Sequence, residues 1–140
     1  MTSDATLPPV KGGFFVALDS LQILTKLEEL NQYSHQTVML FPKSERHVLA
    51  QDIRNTLATL IHLTITSAKR YYKKTTLQDM DIELEYLRVL IRMSRNLGYI
   101  NDHKYEVWSG HVSEVGRMLG GWLKHVRDPK PGTQDSRATT

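Results

Sequence analysis

One stretch near the end of the chain limits its possible folds more than any other. From His103 to Val126 it reads HKYEVWSGHVSEVGRMLGGWLKHV, with Tyr105, Trp108, Val112, Val115, Leu119, Trp122 and Val126 as its large apolar residues. The steps between them alternate three and four, so they lie on one narrow stripe of a single α-helix. That is the a/d spacing of a helix packed lengthwise against others in a bundle. The far side carries His103, Lys104, His111, Arg117, Lys124 and His125, and between the faces stand Gly116, Gly120 and Gly121. Glycine costs roughly 1 kcal/mol relative to alanine inside a helix. Its repeated use here predicts that either a neighbouring helix or another subunit comes close.

The preceding chain supplies three more helices. Pro8-Pro9 and Gly12-Gly13 mark residues 1–18 as irregular, with the first ten or so expected to be mobile. Asp19 or Ser20 is expected to cap a first helix running to about Val38, with Leu21, Leu24, Leu27, Leu30 and Tyr33 inside. Phe41-Pro42 ends it, because proline disfavours helix in the residue before it. Ser44 offers the N-cap of a second helix, with Glu45 in the first turn where the dipole favours an acid. Leu49, Ile53, Leu57, Leu60, Ala68 and Tyr71 then follow at helical spacing, so Tyr71 is expected to be buried. The cationic run Lys69-Arg70-Tyr71-Tyr72-Lys73-Lys74 closes that helix, where positive charge complements the dipole.

Thr75 or Thr76 is expected to cap a third helix, from about Leu77 to Leu97, stopped by Gly98. Leu77, Met80, Leu84, Leu87 and Ile91 form one apolar seam; Ile82, Tyr86, Val89, Met93 and Leu97 form another. Two seams predict a helix buried on two sides. The remaining line is Asp81, Glu85, Arg88, Arg92 and Arg95. Glu85 can pair with Arg88 one turn on, which leaves Arg92 and Arg95 available. Asn101 is the expected cap of the final helix, and residues 127–140 show no apolar periodicity, as in a disordered tail. The sum is an all-α chain: an antiparallel up-down-up-down four-helix bundle over residues 19–126.

Composition narrows the function classes. A chain of 140 residues is most simply one domain, long enough to bury roughly two-thirds of its unfolded surface. It has no cysteine, which removes disulfides and thiolate metal sites and fits a cytoplasmic location. No apolar run approaches the ~18 residues of a membrane span, and the start lacks a secretory pattern. No membrane partner is expected. P-loop, GxGxxG and GxSxG motifs are all missing, so catalysis is not expected and no catalytic residue or cofactor is assigned. Carboxylate di-metal bundles use Glu-x-x-His pairs, and no glutamate here has histidine three residues on, so no metal site is expected.

Charge is what remains. The formal net charge is only +3, but residues 41–127 hold fourteen Lys and Arg against nine acids. Arg117, Lys124 and His125 share one face of the fourth helix, and Arg88, Arg92 and Arg95 one face of the third. Lys69, Arg70, Lys73 and Lys74 crowd the end of the second. In an antiparallel bundle these groups fall at both ends, so several copies would be needed to merge them into one patch. Such cations bind polyanions with steep salt dependence and little sequence preference. Tyr71 and Tyr72 could stack bases, although burial is the expectation for Tyr71.

Three motifs carry a resemblance. Phe41-Pro-Lys-Ser-Glu-Arg-His47, Tyr86-Leu-Arg-Val-Leu-Ile-Arg-Met-Ser-Arg-Asn-Leu-Gly-Tyr-Ile100 and Glu114-Val-Gly-Arg-Met-Leu-Gly-Gly-Trp-Leu-Lys124 together resemble the Avd family. These are the accessory variability determinants of diversity-generating retroelements, within a wider group of four-helix proteins that includes those of ribosomal RNA intervening sequences. The resemblance covers about residues 20–126, and its last motif is the most specific. It implies a barrel-shaped homopentamer that binds the retroelement reverse transcriptase together with RNA or DNA, supporting mutagenic cDNA synthesis and retrohoming without being the polymerase. A pentamer would bury the second seam of the third helix and the fourth-helix surface at Gly116, Gly120, Gly121 and Trp122 between subunits. The alternative is a protein of the intervening-sequence type with an RNA-associated or structural role.

Overall fold

A computed structural model describes the backbone of residues 11–126 and the side chains of residues 18–126. Four helices follow one another: α1 (Lys11–Val38), α2 (Leu49–Lys69), α3 (Lys74–Asn96) and α4 (Asp102–His125), with a short 3-10 turn at Lys43–Glu45. Among the described residues there is no strand. α1 packs on α2, α2 on α3, α3 on α4, and α4 closes back onto α1. Short connections force neighbours antiparallel, so the architecture is the expected four-helix bundle.

Each helix buries one line with the same alternating step. In α4 the line is Trp108, Val112, Val115, Leu119 and Trp122; in α3 it is Leu77, Met80, Leu84, Leu87, Ile91 and Ser94. α2 buries Ile53, Leu57, Leu60, Thr64 and Ser67, and α1 buries Ile23, Leu27, Leu30, Ser34 and Thr37. Three hydroxyls in these lines are satisfied within their own helix, while that of Ser67 faces the Met80 sulfur of α3 at 4.0 Å. Thr64 donates to the Leu60 carbonyl at 2.8 Å, Thr37 to Tyr33 at 2.9 Å and Ser94 to Leu90 at 2.9 Å. A hydroxyl bonded within its own helix can sit in a core without leaving an orphan polar group. Ser34 serves tertiary structure instead: its oxygen accepts from Trp108 Nε1 at 2.8 Å, which joins α1 to α4.

Several expectations fail here, each for a local reason. α1 starts at Lys11, so the expected start at Asp19 or Ser20 lies inside a helix that runs through Gly12-Gly13. The expected mobility of the first ten residues and the expected disorder of 127–140 concern chain outside the described residues. Leu21 is 61% exposed because the inward line passes through Ile23. Ser44 caps nothing: it lies in the 3-10 turn, and α2 begins after Val48 with no side-chain cap. Neither Thr75 nor Thr76 caps α3, which begins at Lys74, and Thr76 is buried. α2 ends at Lys69, before the aromatic pair, and Tyr71 is 86% exposed where burial was expected. α3 is not buried on two sides either. Its first seam fills the core, while Ile82, Tyr86, Met93 and Leu97 are exposed on the outer face.

Two helix ends match their sequence signals. The Asn101 side chain accepts from the Lys104 amide at 2.8 Å and caps α4. After α3, Gly98 adopts φ +80°, with its amide donating to Arg95 and the Tyr99 amide to Ser94, both at 2.9 Å. That is a Schellman end, which requires the left-handed conformation at this residue. Gly98→Ala is therefore expected to cost about 1–2 kcal/mol in urea unfolding, although a methyl group there would meet no neighbouring atom. An unchanged midpoint would contradict this account.

Candidate nucleic-acid interface

The cations form two groups, divided differently from the sequence reading. The first lies on the α3–α4 face. Arg88 reaches across Gly116, where an added Cβ would stand 2.7 Å from its Nη2. The α3 arginines and the outer line of α4 thereby become one surface. Glycine at 116 thus makes room for a guanidinium of the same protomer. Gly120 and Gly121 face no neighbouring atom, so no helix of the protomer occupies the space beside them.

Not every cation on this face is available. Arg88 Nη1 donates to Glu85 at 3.1 Å, the pair expected from the spacing. Arg95 is not free: it bonds Asp102 at 2.9 Å and lies over the Tyr105 ring at 4.8 Å. Its acid comes from the next helix, which a pattern within α3 could not show. Arg117 is held by Glu114 through both guanidinium and carboxylate groups. The hydrogen bond from Arg117 holds the Glu114 carboxyl below its usual value, and Glu114 in turn raises that of Arg117. The pair therefore persists at neutral pH and loosens only as pH falls through the depressed Glu114 value. Among the described residues, exposed Arg92 and Lys124 make no ion pair.

The second group occupies the end where α2 turns into α3. α4 runs antiparallel to α3, so its C-terminus arrives at that same end. Lys69, Arg70, Lys73 and Lys74 thus share one end of a single protomer with Lys124 and His125, without assembly of further copies. His125 Nδ1 lies 2.5 Å from Asp19 and ties the end of α4 to α1. Lys73 has turned inward. Its ammonium donates to the carbonyls of Ser67 at 2.7 Å, Ala68 at 3.5 Å and Arg70, and burial lowers its pKa. It closes the C-terminus of α2, where orphan carbonyls need donors. Arg70 reaches the Thr76 hydroxyl at 3.5 Å. Lys69 and Lys74 are exposed.

Trp122 is wholly buried within the bundle, which takes it off any subunit surface. Its place in the a/d line already pointed inward. The outer seam of α3 has the expected period, and no helix among the described residues covers Ile82, Tyr86, Met93 or Leu97. Among the described residues there is no group of three or more His, Cys, Asp or Glu placed to hold a metal, and no helix long and apolar enough to cross a membrane.

No curated protein matches the chain. A model of the bAvd-like family, one of non-catalytic accessory proteins, matches residues 21–126, more than half of the sequence. That span begins within α1 and runs to the end of the described bundle, taking in both cationic groups and the outer seam of α3, and the chain therefore belongs to the bAvd-like family.

Proposed function

We propose that this protein is the accessory subunit of a diversity-generating retroelement, binding its reverse transcriptase and the template RNA or its cDNA to support mutagenic copying and retrohoming. Membership of the bAvd-like family is the observation that carries the reading. The α3–α4 face and the α2–α3 end supply cations for phosphate, and each phosphate neutralised releases counterion. The protein works in this reading as a scaffold for polymerase and nucleic acid, without a reaction of its own.

The assembly is a ring of identical subunits, a homopentamer as in the resemblance above. Two unlike apolar surfaces support it: the outer seam of α3, and a groove of about 340 Å³ between α1 and α2 lined by Leu21, Leu24, Ile65 and Ala68. Unlike patches on different sides of one protomer suit head-to-tail contact, which closes into a ring when the rotation permits. A ring repeats each cationic group around an axis and turns weak single contacts into multivalent ones.

An Arg92→Glu/Lys124→Glu double variant tests the cationic face. It is expected to keep its helix content and to lose at least about tenfold in RNA affinity at low salt, with a shallower salt dependence. In a reconstitution with the reverse transcriptase and template RNA, cDNA output should fall with it. Full affinity and full cDNA output in a folded variant would remove this face from the proposal.

A further inference from the structure

We infer that the α2–α3 connection is a base-stacking platform for single-stranded nucleic acid, with Tyr71 as the ring on which an unpaired base lies. The inference rests on the polyanion-binding reading above and adds to it a preference for unpaired strands. The carrying observation is Tyr71, which is 86% exposed, the highest value among the exposed large hydrophobic side chains of the described residues. Leaving an aromatic face in water forgoes the burial that usually justifies such a residue.

The ring stands on a connection tied down from both sides. The Lys73 ammonium bonds the carbonyls of Ser67, Ala68 and Arg70, and the Arg70 amide donates to the Thr66 carbonyl at 3.1 Å. Arg70 also reaches Thr76 in the first turn of α3. Beside Tyr71 the Tyr72 ring is nearly perpendicular, at 83° with centroids 4.7 Å apart. An edge-to-face neighbour buttresses the ring without stacking parallel upon it.

Charge surrounds this aromatic tip. Lys69 and Lys74 are exposed on either side of it, and the Lys124 end of α4 shares the same end of the bundle. Cations that follow a backbone together with a ring that accepts a base face make up a single-strand site. A duplex hides its base faces within the stack, so it gains from the cations alone. Tyr71 therefore separates strand types, and the lysines do not.

The test uses the full chain and fluorescence anisotropy with a labelled oligouridylate of about 16 nucleotides and an RNA duplex of equal length. Tyr71→Ala is expected to weaken single-strand binding about tenfold, equivalent to ~1.4 kcal/mol of lost stacking, while duplex binding stays within about twofold. Tyr71→Phe should restore single-strand affinity, since the ring and not the hydroxyl does the stacking. The salt dependence of Tyr71→Ala should equal that of the unsubstituted protein, because no phosphate contact is lost. Unchanged single-strand affinity in Tyr71→Ala would overturn the inference, as would equal losses on both probes. If the unsubstituted protein binds neither probe at low salt, the nucleic-acid part of the proposed function fails, and the platform with it.

Discussion

Replacing Trp108 with alanine is expected to remove ~3–5 kcal/mol of folding free energy, a large share of the ~5–15 kcal/mol that holds a typical domain together. The indole has no exposed surface, lies edge-on to Tyr33 and Phe41 at 6.3 and 6.5 Å, and donates to Ser34 across the α1–α4 contact. Alanine would open a cavity at the junction of two helices and a loop, and would strand a buried hydroxyl. Ser34→Ala isolates the polar part, leaving the indole N–H unpaired at a cost of about 1–3 kcal/mol. Trp122 offers a contrast, since its buried Nε1 has no hydrogen-bond partner. Trp122→Phe removes that orphan donor and should cost less than Trp108→Phe. Urea unfolding checks all four variants, as shifts in midpoint at constant slope. A Trp108→Ala protein within about 1 kcal/mol of the original would show that this contact is not what joins α1 to α4.

An Ile82→Glu/Met93→Glu variant is expected to separate the proposed ring into single protomers while leaving each one folded. Ile82 is 65% exposed and Met93 42% exposed, so within the protomer neither change removes core packing. Substitutions at such sites usually stay within about 0.5 kcal/mol of neutral. Between subunits the same changes would bury unpaired carboxylates, which costs several kcal/mol per contact and repeats around a ring. Sedimentation velocity at micromolar concentration should show an assembly for the original chain and a 16.1 kDa species for the variant, both with unchanged helix content. An original chain that sediments as a lone protomer would end the ring proposal. A variant that stays assembled would move the interface away from this seam.

The two expectations depend on the same kind of pattern read with different success. In α4 and in the first seam of α3, every inward position but Ser94 is apolar, so alternating steps of three and four identified the core directly. In α1 and α2 the inward line contains Ser34, Thr37, Thr64 and Ser67. A reading that follows only apolar residues drifts there, toward Leu21 in one helix and toward Ala68 and Tyr71 in the other. The hydroxyls fit because each has a partner along its own helix or on a neighbouring one, Ser67 reaching the Met80 sulfur of α3 and Ser34 the Trp108 indole of α4, and hydropathy cannot register that. The cationic residues were all visible as charges. The Glu85–Arg88 pair could be read from its spacing, but the pairing of Arg95 could not, because Asp102 answers it from another helix.

The sequence by itself determined the number of helices, their antiparallel order, the core faces of α3 and α4, and the Asn101 and Gly98 signals at helix ends. Those features are local, arising from side-chain period, capping chemistry and the left-handed tolerance of glycine. Only the tertiary structure decided which charges pair across helices, since Asp102 of α4 answers Arg95 and Asp19 of α1 answers His125. It alone decided that Gly116 shelters a guanidinium while Gly120 and Gly121 face open space, and that the second α3 seam and Tyr71 point outward. The physical reason is common to all of these. Periodicity states which residues share a face, but what covers that face depends on helices distant in sequence.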